Sequence, residues 1–217
     1  MRILIVGAGG HGQVVADILL RMKDRGGQSF PVGFLDDAEA LHGNHLLGLR
    51  VFGEVARRKA IAYDALIIAI GDNLVRQRWY RELSDQGEKF TNAHHPGAIL
   101  APDVGVGLGS MISAGVIVNT GARVGYNVIL NTGCSIDHHC QIGNHAHVAP
   151  GARLGGNVVI AEGALIGMGA IVLPGCSVGA WSRVSAGAVV NHDVPEGVTA
   201  VGAPARVITK HSRSGSK

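Results

Sequence analysis

Residues 128–148 read Val128-Ile-Leu-Asn-Thr-Gly133-Cys-Ser-Ile-Asp-His138-His-Cys-Gln-Ile-Gly143-Asn-His-Ala-His-Val148. Bulky aliphatics fall six apart at Leu130, Ile136, Ile142 and Val148, each with a small residue two positions earlier. The period extends in both directions, from Leu100 and Val106 through to Val184 and Val190, sixteen consecutive aliphatic positions. Val, Ile and Leu are 59 of 217 residues, so chance produces such a run with a probability on the order of one in a billion. The small register runs in parallel from Ala98 to Ala188. Two residues spaced by two share one face of a short strand and point inward together, while the intervening Gly and Asn suit tight turns. One repeat cannot bury its own apolar face, but stacked repeats form continuous aliphatic ladders. With three repeats to a triangular coil of 18 residues, the segment makes about five coils, roughly 24 Å tall at ~4.8 Å per strand. No insertion breaks the register from Ala98 to Asn191, so any chemistry on this half has to lie on the coil turns.

Composition agrees. The 33 glycines and 4% aromatics point to a core of stacked aliphatics and close backbone approaches. A net charge of +3 lacks the clustered basic face of a nucleic-acid binder, and Arg57-Arg58-Lys59 and the tail from Lys210 read as solvated surface. Cys134, Cys140 and Cys176 show no CxxC spacing, which argues against a disulfide framework or zinc ribbon; all three occupy the small inward register and read as packing thiols. Met1–Val6 is too short an apolar run for a secretory signal, and no stretch approaches the ~18 apolar residues of a membrane span. A cytoplasmic protein without membrane insertion is expected. Residues 210–217 carry no apolar periodicity and are expected to form a disordered tail.

The first 93 residues read differently. Ile3–Val6 is a short buried strand, followed by Gly7-Ala-Gly9-Gly10-His11-Gly12 and a helical pattern through Val14, Val15, Ile18, Leu19 and Met22. Strand, glycine loop and helix is the context in which a GxGxxG pattern carries meaning, because the first amides and the dipole of the helix favour a phosphate. A second strand ends at Asp36-Asp37 and a third at Gly71-Asp72-Asn73, with a helix near 74–86 after it. This predicts a small Rossmann-like α/β unit over 1–93, with ligand contacts beyond the carboxyl ends of its strands at Gly9, Gly10, His11, Asp36, Asp37, Gly71 and Asn73. Asp36 lies 24 residues after Gly12, near the ~20 expected of the acidic residue that holds the ribose of NAD. Against an oxidoreductase stand the small size of the unit and the lack of a further domain for hydride chemistry.

The aliphatic ladder resembles the left-handed β-helix acyltransferases. Together with Gly7–Gly12, Leu35-Asp-Asp37, Ala69–Asn73, His95-Pro96, Asn131-Thr132, Asp137-His138, His147-Val148 and Val201-Gly-Ala-Pro-Ala205, the chain resembles the sialic acid O-acetyltransferase NeuD family, which includes bacterial UDP-4-amino-sugar N-acetyltransferases. The likeness implies a left-handed β-helix over 94–209, acetyl-CoA as cosubstrate, a UDP-linked amino sugar as acceptor, and a homotrimer whose active site lies between subunits. It implies His138 as general base, with His139 where the family usually carries an acidic residue and Asp137 as another possible orienting carboxylate. It assigns His147, Met168 and the Ala186-Gly187 turn to acetyl-CoA, and Gly9, Gly10, His11, Asp36, Asp37 and Gly71 to the nucleotide-sugar.

Histidine suits the base because its pKa lies near working pH. His138 follows the inward Ile136 by two residues, which places it on a turn, stacked between Thr120 and Gly156. A backbone amide of a neighbouring coil is a candidate donor to the thioester oxygen. A metal site among His138, His139, His145 and His147 is the competing reading; no Cys or Glu joins them on an outward position, and none is expected. O-acetylation of a sialic acid or related sugar, and a non-catalytic nucleotide-sugar sensor or scaffold, are the other functions this sequence admits.

Overall fold

The computed structural model describes residues 1–210, and the side chains of 1–208. The six-residue period becomes a parallel β-solenoid of about six turns, the form of the left-handed hexapeptide β-helix. Two-residue strands pair in register 18 residues apart, Val118 with Ile136, then Leu154, Val172 and Val190. Three such ladders form the faces of a triangular prism. Outward residues on the first face include Met111, Ile129, His147 and Leu165. The second face carries Ile99, Ile117, Ser135, Arg153 and Ile171, and the third Arg123, Gln141 and Val159. Inward aliphatics from Ile112 to Val190 and the small residues between them make one core, each fully buried Val, Leu or Ile contributing about 1.5–3 kcal/mol. Cys134, Cys140 and Cys176 are buried in it as free thiols.

A second periodicity lies in the backbone. Every sixth residue from Gly109 to Gly187 has φ between +55° and +81°, so each corner turns on one left-handed residue. The solenoid exceeds the five coils expected because rungs at both ends lack the bulky signature. Ala93–His94 already pairs with Met111 and Ile112. Beyond Asn191 the chain loses two residues per turn, so that Arg183 pairs with Thr199 and Val178 with Val194. A final antiparallel strand, Arg206–Lys210, caps this end. It includes the first residue of the segment expected to be a disordered tail; 211–217 lie outside the described residues.

In the amino-terminal unit, β1 (Arg2–Val6), β2 (Phe30–Leu35) and β3 (Ala65–Ile68) form a parallel sheet in the order β2-β1-β3. Helix α1 (Gly10–Asp24) buries Val15, Ala16, Ile18 and Leu19. It is sandwiched between the sheet and the solenoid, sharing one core with Ile3, Ile5 and Ile67 on one side and Met111 and Ile129 on the other. Helix α2 (Asn73–Asp85) starts where the Asp72 carboxylate accepts from the amides of Leu74 and Val75, both at 2.9 Å, an N-cap that places its start one residue ahead of the pattern-based reading. No described helix is long and apolar enough to cross a membrane.

The two halves are joined at α2 by Arg76, whose exposure is 0%. Its guanidinium donates to the carbonyls of Asn127 (3.1 Å) and His145 (2.7 Å) on the solenoid, of Ile70 (3.0 Å) on its own unit, and to Asn73 Oδ1 (2.9 Å). Asn73 Nδ2 donates onward to the carbonyl of Gly163 at 3.0 Å. Burial pulls the pKa of Arg76 down to about 9, with Asp72 opposing, so it stays charged at neutral pH. Its charge and the dry junction hold three histidines neutral. Desolvation, then Arg76, lowers His11 to about 4 and His145 to about 4. His147 falls to about 3 through the same two causes and His11.

Two outcomes follow from this junction. Arg76→Ala orphans four carbonyl or amide acceptors and opens a void, so the unfolding free energy measured in urea should fall by about 3 kcal/mol or more; Arg76→Lys should restore little of it, lacking the planar fork. The junction histidines bind protons in the unfolded chain below its ordinary pKa of ~6.5 but not in the folded one. Stability should therefore be full above about pH 6.5 and fall as pH drops towards 4, by at most ~1.4 kcal/mol per pH unit for each histidine. Melting curves from pH 8 to 5 read this, and His145→Asn, which keeps a residue tolerant of the left-handed corner, should flatten the slope.

Candidate active site

At the carboxyl ends of β1, β2 and β3 the glycines divide into two kinds. A Cβ on Gly12 would sit 2.1 Å from the Gly7 carbonyl oxygen, and one on Gly7, at φ +104°, 2.8 Å from that of Ala69. These two serve packing. A Cβ on Gly9, Gly10 or Gly71 would meet nothing within 4 Å, so sterics do not require glycine there and the bare backbone lines open space. Helix α1 starts at Gly10 with no side-chain cap and no acidic residue in its first turn, leaving its amides free for an anion. The Asp36 carboxylate accepts from the amides of Ala8 (2.7 Å) and Ala38 (2.9 Å), which pins the glycine loop to the end of β2. Asp37 uses one oxygen on the Val55 amide at 3.0 Å and is exposed. His42, which no sequence pattern marks, adds its Nε2 to the Asp36 carbonyl at 2.7 Å. Asn73 belongs to the domain junction, with both ends of its amide bonded within the chain.

His138 stands at the corner between the second and third faces, exposed. Its carbonyl accepts from Asn157 in the next coil at 2.9 Å, and the following residue donates to Thr120 in the previous one at 3.0 Å. The ring lies over Gly156, where a Cβ would come within 2.4 Å of it. Asp137 makes no hydrogen bond to the imidazole. Its Oδ1 accepts from Asn119 Nδ2 (2.8 Å) and the backbone amide of His138 (2.7 Å), and these bonds, the Asn119 one first, hold its pKa below the usual range. Its hydrogen bonds orient the turn, and the His138 imidazole adds only a smaller electrostatic contribution. His139 is the left-handed residue of this corner, at φ +61°; its ring meets that of His138 edge-on at 5.3 Å between centroids and lies over Gly121.

The corner between the first and second faces is built differently. All five of its left-handed residues, Gly115, Gly133, Gly151, Gly169 and Gly187, are glycine, whereas the other two corners admit Asn, His and Trp there. At the last four a Cβ would meet nothing within 4 Å. The result is a ridge whose left-handed positions expose bare backbone, each following a residue that does carry a side chain, such as Met168 or Ala186. Met168, 61% exposed, and Ala186-Gly187 lie on this corner in adjacent coils, with the Gly187 amide donating to the Met168 carbonyl at 2.9 Å. The 18-residue spacing of the glycines was readable in the sequence.

His147 sits apart from them, on the covered first face. Asn131 Nδ2 donates to its Nε2 at 3.2 Å, an orientation set by Asn131 Oδ1, which accepts from the Thr132 amide at 2.8 Å. The other ring nitrogen therefore carries the proton and bonds to the backbone of Gly71. The ring centroid of His11 is 6.4 Å away, with a buried Nε2 that has no partner. His147 thus touches the glycine end of the α/β unit on one side and the glycine corner, through Asn131, on the other. The four-histidine patch of the sequence is split over two corners and a face, and among the described residues no three His, Cys, Asp or Glu side chains converge on one point.

Residues 2–83 match the family model described as the PglD N-terminal domain, and 157–192 that of the bacterial transferase hexapeptide, six repeats. Among solved structures, the acetyltransferase domain of PglB from Neisseria gonorrhoeae FA1090 is similar at 30% identity and a TM-score of 0.87, over 95% of this chain and 99% of that one; it has also been solved with acetyl coenzyme A. PerB from Caulobacter crescentus, solved with CoA and GDP-perosamine, is similar at 35% identity and a TM-score of 0.86, over 96% and 98%. WeeI from Acinetobacter baumannii AYE is similar at 29% identity and 0.85, over 96% and 100%. Fold, domain order and full-length coverage agree: the chain belongs to the NeuD-like family of hexapeptide-repeat sugar N-acetyltransferases, enzymes dependent on acetyl-CoA.

Proposed function

We propose that this protein transfers the acetyl group of acetyl-CoA to the amino group of a UDP-linked 4-amino sugar, with His138 as the general base. The observation that carries the reading is the presence in one chain of an open glycine end suited to an anion and an exposed histidine on a solenoid corner. The bare backbone of Gly9, Gly10 and Gly71 and the uncapped start of α1 suit a diphosphate, and the free oxygen of Asp37 suits a ribose hydroxyl or base. The glycine corner, bare of Cβ atoms at its left-handed positions, accommodates the long thioester arm. His138 accepts a proton from the sugar amine as its nitrogen bonds to the acetyl carbon; the C–S bond breaks and the thiolate of CoA takes up a proton in turn. A backbone amide of the adjacent coil serves the carbonyl oxygen as it gains charge. The UDP carrier follows from the family resemblance, and PerB was solved with a GDP-linked sugar.

The α/β unit covers the first face and the corner of Asn127 and His145. His138 occupies the vertex opposite that face, so nucleotide end and base of one chain lie across the prism from each other. Between the glycine corner and His138 runs the second face, with Ile99 65%, Ile117 41% and Ile171 38% exposed. These exposed isoleucines, interrupted by Ser135 and Arg153, support a homotrimer in which the second face of one copy brings its base to the nucleotide end of the next.

A thiol-release assay with acetyl-CoA against UDP-, GDP- and dTDP-amino sugars and free sialic acids tests the acceptor; release with sialic acids alone overturns it. His138→Ala should lower kcat by ~10²–10⁴-fold with an unchanged melting temperature, and a wild-type rate would falsify the base assignment. Gly169→His places on the glycine corner a residue that the other corners already hold in the same backbone conformation. It should raise KM for acetyl-CoA at least about tenfold, leaving KM for the sugar nucleotide unchanged.

A further inference from the structure

We infer that the α/β unit carries a second ligand site, a cleft under Arg50 and Arg57 that takes a planar aromatic ring bearing a carboxylate or phosphate. The cleft measures about 670 Å³ and is lined by Val32, Arg50, Phe52, Arg57 and Ala60–Ala62, within the ~300–1,000 Å³ of small-molecule sites. It is separate from the nucleotide end. Asp64, just beyond Ala62, binds the amide of Arg2 at 2.7 Å, so this side of the cleft lies by the amino ends of β1 and β3, while Gly9 and Gly71 lie at their carboxyl ends.

Its floor is apolar and its rim cationic. The Phe52 ring is held against Gly33, where a Cβ would come within 2.4 Å of it, so the apolar floor is fixed in place. The Arg50 guanidinium stands 5.9 Å from the centroid of that ring. Arg57 Nη1 donates to the Phe52 carbonyl at 3.2 Å. Neither pairs with a carboxylate among the described residues. The contrast with the next residue is sharp: Arg58 turns inward to Glu88 at 2.7 Å. Two guanidiniums with unspent donors at the edge of an aromatic floor match an oxyanion attached to a ring. Such a ligand is either a nucleoside phosphate or a smaller aryl acid.

The probe is 1-anilinonaphthalene-8-sulfonate, an aromatic anion whose emission rises in apolar sites. Titration of the full-length protein should show one site per chain, and Arg50→Gln with Arg57→Gln should weaken it at least tenfold while leaving the melting temperature unchanged, both side chains being exposed. Displacement by UMP alone identifies a nucleotide ligand, and displacement by phenyl phosphate or benzoate a smaller aryl anion; either supports the site. Equal affinity in the double variant, absence of enhancement, or a double variant that loses oligomers in sedimentation, which makes the cleft an interface between copies, overturns it.

Discussion

The coupling of the two halves depends on one guanidinium that has no carboxylate. A buried ion pair would have neutralised Arg76; here backbone carbonyls from both halves do so instead. Carbonyl dipoles compensate a charge less completely than a carboxylate, and the surplus field depresses protonation of every imidazole nearby. The same contact fixes the docking angle of the α/β unit and, after burial itself, is the next cause of the neutral state of His11, His145 and His147. Neutral imidazoles can accept as well as donate, which lets His147 accept from Asn131 and donate to the backbone of Gly71. The loop at Gly71 and the glycine corner are thus in hydrogen-bond continuity through a ring that protonation would break.

Legibility followed physical cause. The aliphatic ladder was plain because each coil must bury the same face, and that constraint writes itself as a period. The rungs at Ala93–His94 and beyond Asn191 were not, because end coils are partly covered by other elements and need no full aliphatic set. The glycine loop was recognisable, but the division between Gly7 and Gly12, held by close contacts, and Gly9 and Gly10, left open, needed coordinates. Arg76 was illegible. Beside Arg78 and Arg81 on one amphipathic helix it has nothing to distinguish it, since its burial depends on where α2 meets a coil about 50 residues later.

Site residues read by family likeness fall into groups that the structure relates differently. Met168, Ala186 and Gly187 share one corner, while His147 faces the other domain. Asp36 and Asp137 turn out to organise backbone: each carboxylate holds a turn through amides, so that their neighbours are presented. His139 fills a left-handed position where a side chain is tolerated, and its ring meets His138 by its edge and not by a hydrogen bond. Among the described residues no carboxylate hydrogen-bonds the His138 ring, and Asp137 interacts with it only through its charge.

The ladder of left-handed residues has a consequence for how such a chain can change length. Each corner closes only if its turn arrives on time, so inserting or deleting one residue between Gly109 and Gly187 would rotate every later side chain off its face. Length is free only in whole coils of 18 residues, and the molecule grows in steps of one strand spacing, about 4.8 Å. The distance from the α/β unit to the far end is in that sense quantised, and the count slips, among the described residues, in the last coil past Asn191, just before the antiparallel cap.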